Sequence, residues 1–133
     1  MPVSTDDYVS ISDFFGRYCW SVDEGDEEGW AALWAEDGVF AGVLAEPVVG
    51  REALKAVPRN AYAASKGAMR HLVGSLTCDY DGAGKDVVIA RYYNLVSNWL
   101  QGGALTCLAA STVRLDRNGD SWLIGRSDSV MLT

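Results

Sequence analysis

Histidine occurs once in this chain, at position 71. An imidazole has an unperturbed pKa of about 6.5, which suits proton transfer near neutrality. A second residue stands out by position. Asp23 follows Cys19 by four residues and Phe15 by eight, so it closes the apolar face of the first amphipathic segment instead of lying on its wet face. A carboxylate there needs a partner or a task. The plain reading is that it closes the turn between two helices by accepting backbone N–H groups. Spacing alone does not show whether Asp23 and His71 meet.

Four further side chains qualify as polar or aromatic lining for a pocket. Tyr18 precedes Asp23 by five residues, about 140° away around a helix, so it flanks that position. Asn94 is an amide inside the otherwise apolar run Tyr92-Tyr93-Asn94-Leu95-Val96. Arg126 and Asp128 share strand parity with Trp122 and Ile124, and they could simply pair with each other. Trp34 is one of five tryptophans, a number that suits a core and an aromatic-lined cavity. His71 is expected to share its side of a strand with Val73, Ser75 and Thr77.

Other chemistries lack their motifs. The sequence has no P-loop, no GxGxxG after a strand, no GxSxG and no HExxH. Cys19, Cys78 and Cys107 form no CxxC pair and no zinc spacing with His71, so neither a metal nor a cofactor is implied. A net charge of −7 argues against nucleic acid or an anionic membrane as partner. No apolar run approaches the ~18 residues of a membrane span. The acidic start, Met-Pro-Val-Ser-Thr-Asp-Asp, lacks a signal peptide's basic and apolar regions, and with the unpaired cysteines it points to a reduced, cytoplasmic protein.

The elements that must position these residues fall into two halves of one domain spanning residues 1–133. Tyr8, Ile11, Phe14, Phe15, Tyr18, Cys19 and Val22 recur every three or four positions, which predicts an amphipathic helix from Thr5, its cap, to Val22. Asp26 caps a short helix carrying Trp30, Leu33 and Trp34. Gly38-Val39-Phe40 begins an extended segment. Residues 51–65 read as a third helix that Pro58 must interrupt or kink. Then come four strands, at 71–80, 87–100, 104–115 and 122–131, separated by the turn signals Asp81-Gly82-Ala83-Gly84, Gln101-Gly102-Gly103 and Asp116-Arg117-Asn118-Gly119-Asp120. Such short connections make antiparallel neighbours. The class is α+β, with three N-terminal helices on one face of a curved sheet.

The runs Arg17-Tyr18-Cys19-Trp20-Ser21-Val22-Asp23-Glu24-Gly25-Asp26 and Trp30-Ala31-Ala32-Leu33-Trp34-Ala35-Glu36-Asp37-Gly38-Val39-Phe40 resemble the opening of the SnoaL-like branch of the nuclear transport factor 2-like superfamily. Gly50-Arg51-Glu52-Ala53-Leu54, Met69-Arg70-His71-Leu72-Val73-Gly74-Ser75 and Trp122-Leu123-Ile124-Gly125-Arg126 are similar to later family motifs, so the likeness spans nearly the whole chain. It implies a cone-shaped, mostly antiparallel sheet around an apolar pocket. It also implies, from the scytalone dehydratase and lindane dehydrochlorinase branch, a dyad with His71 as general base and Asp23 fixing its tautomer. The activity so implied is a cofactor-free lyase acting on a small apolar cyclic or aromatic compound. Alternatives on the same fold are a polyketide cyclase or isomerase, or a non-catalytic ligand-binding or dimerisation domain. Departures narrow the choice. A ketosteroid isomerase would need a carboxylate near Gly42 and an acid near Ser111. A limonene epoxide hydrolase would need an Asp–Arg–Asp set in the strands, and lindane dehydrochlorinase a lysine near Tyr18. The open sheet face is expected to be covered in a homodimer or homotrimer.

Overall fold

A computed structural model describes residues 1–132 of the chain. Helix α1 spans Thr5–Asp23, and its cap is Ser4, one residue earlier than expected, whose hydroxyl accepts from the Asp7 amide at 3.2 Å. Its apolar stripe, Ile11, Phe14, Phe15, Tyr18, Cys19 and Val22, is buried. Helix α2 (Glu27–Ala31) is capped by Asp26, which accepts from the Gly29 amide at 3.0 Å.

Two elements depart from the helical periodicity. Trp34 lies outside α2 and opens strand β1 (Trp34–Ala41), four residues before the extended segment was expected. The third helix is two helices, α3 (Arg51–Leu54) and α4 (Ala56–Ser65), broken at Lys55. Pro58 explains the break. It lacks an N–H, and its ring opposes the carbonyl four residues back, which belongs to Leu54, the last residue of α3.

The remaining strands are β2 (Val48–Val49), β3 (Met69–Tyr80), β4 (Val87–Asn98), β5 (Ala104–Asn118) and β6 (Ser121–Met131). They form one six-stranded sheet in the order β2-β1-β6-β5-β4-β3, antiparallel throughout except for the β1–β6 pair. The expected α+β architecture, a mostly antiparallel curved sheet with helices on one face, is therefore present. Trp30, Trp34 and Trp122 fill the core beneath α1, and the Trp122 indole N–H donates to Ser10 Oγ at 3.1 Å. Each such burial contributes about 1.5–3 kcal/mol.

The sheet curls because its ladders are interrupted. Register shifts fall between Gly74 and Thr77 in β3, between Val96 and Ser97 in β4 against β5, and between Arg114 and Leu115 in β5 against β6. An unmatched residue bends its strand and reverses which side chains face inward. In β3 the reversal occurs at Ser75, whose φ of 56° is in the left-handed region. In β6 it occurs at Gly125, where a Cβ would meet Asp116 Oδ2 at 2.8 Å.

Candidate functional site

Asp23 is the last residue of α1, and β3 is the edge strand against which α1 packs. The helix therefore delivers its terminal carboxylate to the start of that strand. Asp23 Oδ1 lies 2.6 Å from His71 Nδ1, and Asp23 Oδ2 accepts the His71 backbone N–H at 3.1 Å. One carboxylate thus holds both the ring and the backbone of the same residue. Both side chains are largely withdrawn from solvent, 13% exposed for His71 and 9% for Asp23. A carboxylate can only accept, so the contact calls for a proton on Nδ1, which in a neutral imidazole leaves the lone pair on Nε2.

His71 borders a cavity of about 640 Å³ inside the cone. Its walls are α4 and the β1–β2 loop on one side and the inner faces of β3 to β6 on the other. That volume fits a molecule of two or three rings. Asp23 does not line it. The carboxylate faces an outer groove of about 610 Å³ between α1 and β3, which His71 also borders. His71 is therefore shared by the cavity and the groove, while Asp23 belongs to the groove side.

Tyr18 and Asn94 line the cavity with His71. The Tyr18 ring packs 5.6 Å from that of Trp30. Burial pushes the Tyr18 hydroxyl well above its usual range, so it stays a neutral O–H. Asn94 is buried, and its Oδ1 has no hydrogen-bond partner among the described residues.

The other two expected residues lie elsewhere. Trp34 is wholly buried behind the wall, packed on Trp30 and Phe40 with centroids 5.1 and 5.8 Å away, because the chain has already turned into β1 at that position. Arg126 is exposed on the outer face, where its Nε and Nη2 donate to the two Asp128 oxygens at 2.7 and 2.9 Å. The bulge at Gly125 turned it out and put Ser127 and Ser129 inside. The expected alternation also fails beyond Gly74: His71 and Val73 face inward, then Leu76 and Cys78, with Ser75 and Thr77 outside.

Several lining groups were not singled out from the sequence. Ser111 and Ser129 share a 2.7 Å hydrogen bond at the cavity wall, and Cys107 lines it too. Strand parity marks Ser111 as a polar residue on the face of Val113 and Leu115, the one signal that could have found it. No cysteine is poised as a nucleophile. Burial, with the nearby Asp23 charge, pushes the Cys19 thiol up to about 12, and burial raises Cys78 to about 11 and Cys107 in the same direction. Among the described residues, no group of three His, Cys, Asp or Glu side chains could hold a metal ion, and no helix is long and apolar enough to cross a membrane.

The SnoaL-like domain family matches residues 3–128. No curated protein matches the chain. Solved structures do. A nuclear transport factor 2-like protein with a cystatin-like fold from Novosphingobium aromaticivorans is 27% identical, with a TM-score of 0.80 over 95% of this chain and 82% of that one. Aln2 from a Streptomyces species is 23% identical, with a TM-score of 0.87 over 98% and 94%. A protein provisionally described as a scytalone dehydratase, also from N. aromaticivorans, is 14% identical, with a TM-score of 0.78 over 96% and 85%. The last two likenesses are of fold.

Proposed function

From the premise that this chain belongs to the SnoaL-like domain family, we propose that it is a cofactor-free lyase of the dehydratase type, acting on a small, apolar, cyclic compound held in the cone. The observation that carries the reading is the 2.6 Å contact between Asp23 Oδ1 and His71 Nδ1 in a residue that borders an apolar cavity. With Nδ1–H donated to Asp23, Nε2 is free to accept a proton. In the step proposed, Nε2 removes a proton from the carbon next to the one bearing the leaving group. The C–H electrons form a C=C bond, and the leaving oxygen departs with the electrons of its bond to carbon. It takes up a proton from the imidazolium and leaves as water. Asp23 stabilises the imidazolium between the two transfers.

The test is turnover of a panel of hydroxylated and halogenated cyclic compounds, followed by mass spectrometry. Proton transfer by a placed base is worth about 10²–10⁴-fold. His71→Ala is expected to lose that factor on any compound turned over while keeping the wild-type circular dichroism. Full activity in His71→Ala removes His71 as the base.

One observation favours a second, non-catalytic reading, in which the cavity only binds its ligand. Asp23 also caps an edge-strand amide, a structural duty that would keep the carboxylate in place without any reaction. Asp23→Asn separates the two readings, because a binding module would retain its ligand affinity and show no turnover in either form.

The outer face of the sheet bears on assembly. Leu72 pairs with Leu95 and Leu95 with Leu108, and Tyr93 and Val130 lie in the adjoining row. Leu72 and Val130 are about two-thirds exposed. We infer that a second copy of the chain covers this apolar face. Sedimentation of Leu95→Asp as a monomer beside a dimeric wild type would support this; identical sedimentation would end it.

A further inference from the structure

The chain has 18 acidic and 11 basic side chains, yet among the described residues no Asp, Glu, Lys or Arg lines the cavity. Its polar lining is Tyr18, Trp30 and Asn60 from the helices, Thr106 and Cys107 in β5, and a diagonal row on the sheet made of His71, Asn94, Ser111 and Ser129. In the strand registers, His71 pairs with Val96, Asn94 with Val73 and Ala109, and Ser111 with Tyr92 and Ser129. Asn94 is thus the diagonal neighbour of His71 and Ser111 the diagonal neighbour of Asn94, with Ser129 directly beside Ser111. The opposite wall, from Val48 through Ala53, Val57 and Ala61, is apolar except for Asn60. Along the diagonal row Ser111 and Ser129 satisfy each other at 2.7 Å. Asn94 is more than nine-tenths buried, and its Oδ1 is left without a donor among the described residues. A buried carbonyl oxygen in that state is an acceptor waiting for a ligand's O–H.

Charge narrows the ligand further. An ion in this cavity would lose its water, and among the described residues no Asp, Glu, Lys or Arg side chain lines the wall to replace it. An anion would also be repelled by the Asp23 carboxylate behind His71 and by the net charge of the protein. We propose that the cavity selects an uncharged ring compound bearing a hydroxyl group, whose O–H donates to Asn94 Oδ1 while the ring lies against the apolar wall. Diagonal neighbours in a sheet are about 7–8 Å apart, so Asn94 and His71 are within reach of one and the same ring compound. The inference rests on reading the cavity as the ligand site, and of the expected lining residues it gives Asn94 the contact with the ligand's hydroxyl.

The experiment measures Kd, by calorimetry at pH 7, for 2-naphthol, naphthalene, 2-naphthoate and 2-naphthylmethylammonium. These probes share one ring system and differ in hydroxyl and charge. Wild-type protein is expected to bind 2-naphthol tightest, with both ions at least about tenfold weaker. Asn94→Leu should weaken 2-naphthol by about 3–10-fold, the worth of one hydrogen bond, and leave naphthalene unchanged. Either ion binding as tightly as 2-naphthol overturns the proposal. So does an equal effect of Asn94→Leu on 2-naphthol and naphthalene, or binding of none of the four. The charge series on wild-type protein needs no variant, so it decides even where Asn94→Leu does not fold. Failure of the base assignment would appear in turnover of the compound panel, and failure of this inference in the affinities of wild-type protein for the four probes.

Discussion

Two carboxylate–base pairs sit on opposite faces of the same sheet and show opposite behaviour. Asp128 and Arg126 are two residues apart in β6, with bidentate geometry and both side chains about half exposed. Asp23 and His71 are 48 residues apart, joined across α1 and edge strand β3, and both are nearly buried. The first pair is local and washed by solvent, where two charged groups gain little from each other. The second is made only when the fold is made, and burial strengthens whatever the two groups exchange. Good hydrogen-bond geometry therefore does not identify a site; the surroundings of the pair do.

The comparison can be broken or sharpened by substitution. The largest effect is expected from Asp23→Asn. Its amide can offer Nδ1 an N–H in place of an acceptor and so favour the tautomer with its proton on Nε2, lowering turnover by about 10²–10⁴-fold. Steady-state kinetics would show this as a fall in kcat, and unchanged kcat would reduce the carboxylate to scaffolding. Asp23→Ala comes next. It leaves the His71 backbone and ring N–H groups without their partner, at a cost of about 2–4 kcal/mol in urea denaturation. A cost near zero would put the buried pair on a level with the surface one.

A third pair, Asp7 with Arg117, is intermediate in burial and tests the trend by pH. The Arg117 guanidinium holds the Asp7 carboxyl below its usual value of 3.8, with the Tyr80 hydroxyl adding to the effect. The folded value lies below the unfolded one, so the stabilisation is present in full above about pH 4 and is lost as pH falls through the lowered value. Thermal midpoints between pH 2 and 5 should fall less steeply in Asp7→Asn than in wild type, and parallel curves would contradict the assignment. The smallest effect belongs to Arg126→Ala, which should leave the thermal midpoint and the 2-naphthol affinity unchanged. A loss of affinity there would return Arg126 to the site.

Much of this molecule could be read from residue types and spacing. The stripe from Ile11 to Val22 has the period of a helix, and the runs of Val, Leu, Thr and aromatics after residue 69, cut by Gly- and Asp-rich turns, have the composition of antiparallel strands. Asp23 and His71 were marked by their oddity, an acid closing an apolar face and a lone imidazole in a strand. The sequence signals failed where one residue changes the phase of a strand. Alternation is a counting rule, and the irregularities at Ser75 and Gly125 reset the count, so Ser75 and Arg126 came out on the wrong side. Trp34 failed for a similar reason: its helical spacing says nothing about the chain having already left the helix.

Local periodicity and turn chemistry thus determined the elements, their order and their class, because those properties depend on neighbours a few residues away. Which side chains share a cavity is different, because bulge positions, the packing of α1 on the sheet edge and the closure of the cone are set by contacts between distant segments. Only the folded chain could bring Asp23 within 2.6 Å of His71, leave Asn94 Oδ1 without a donor among the described residues and turn Arg126 away.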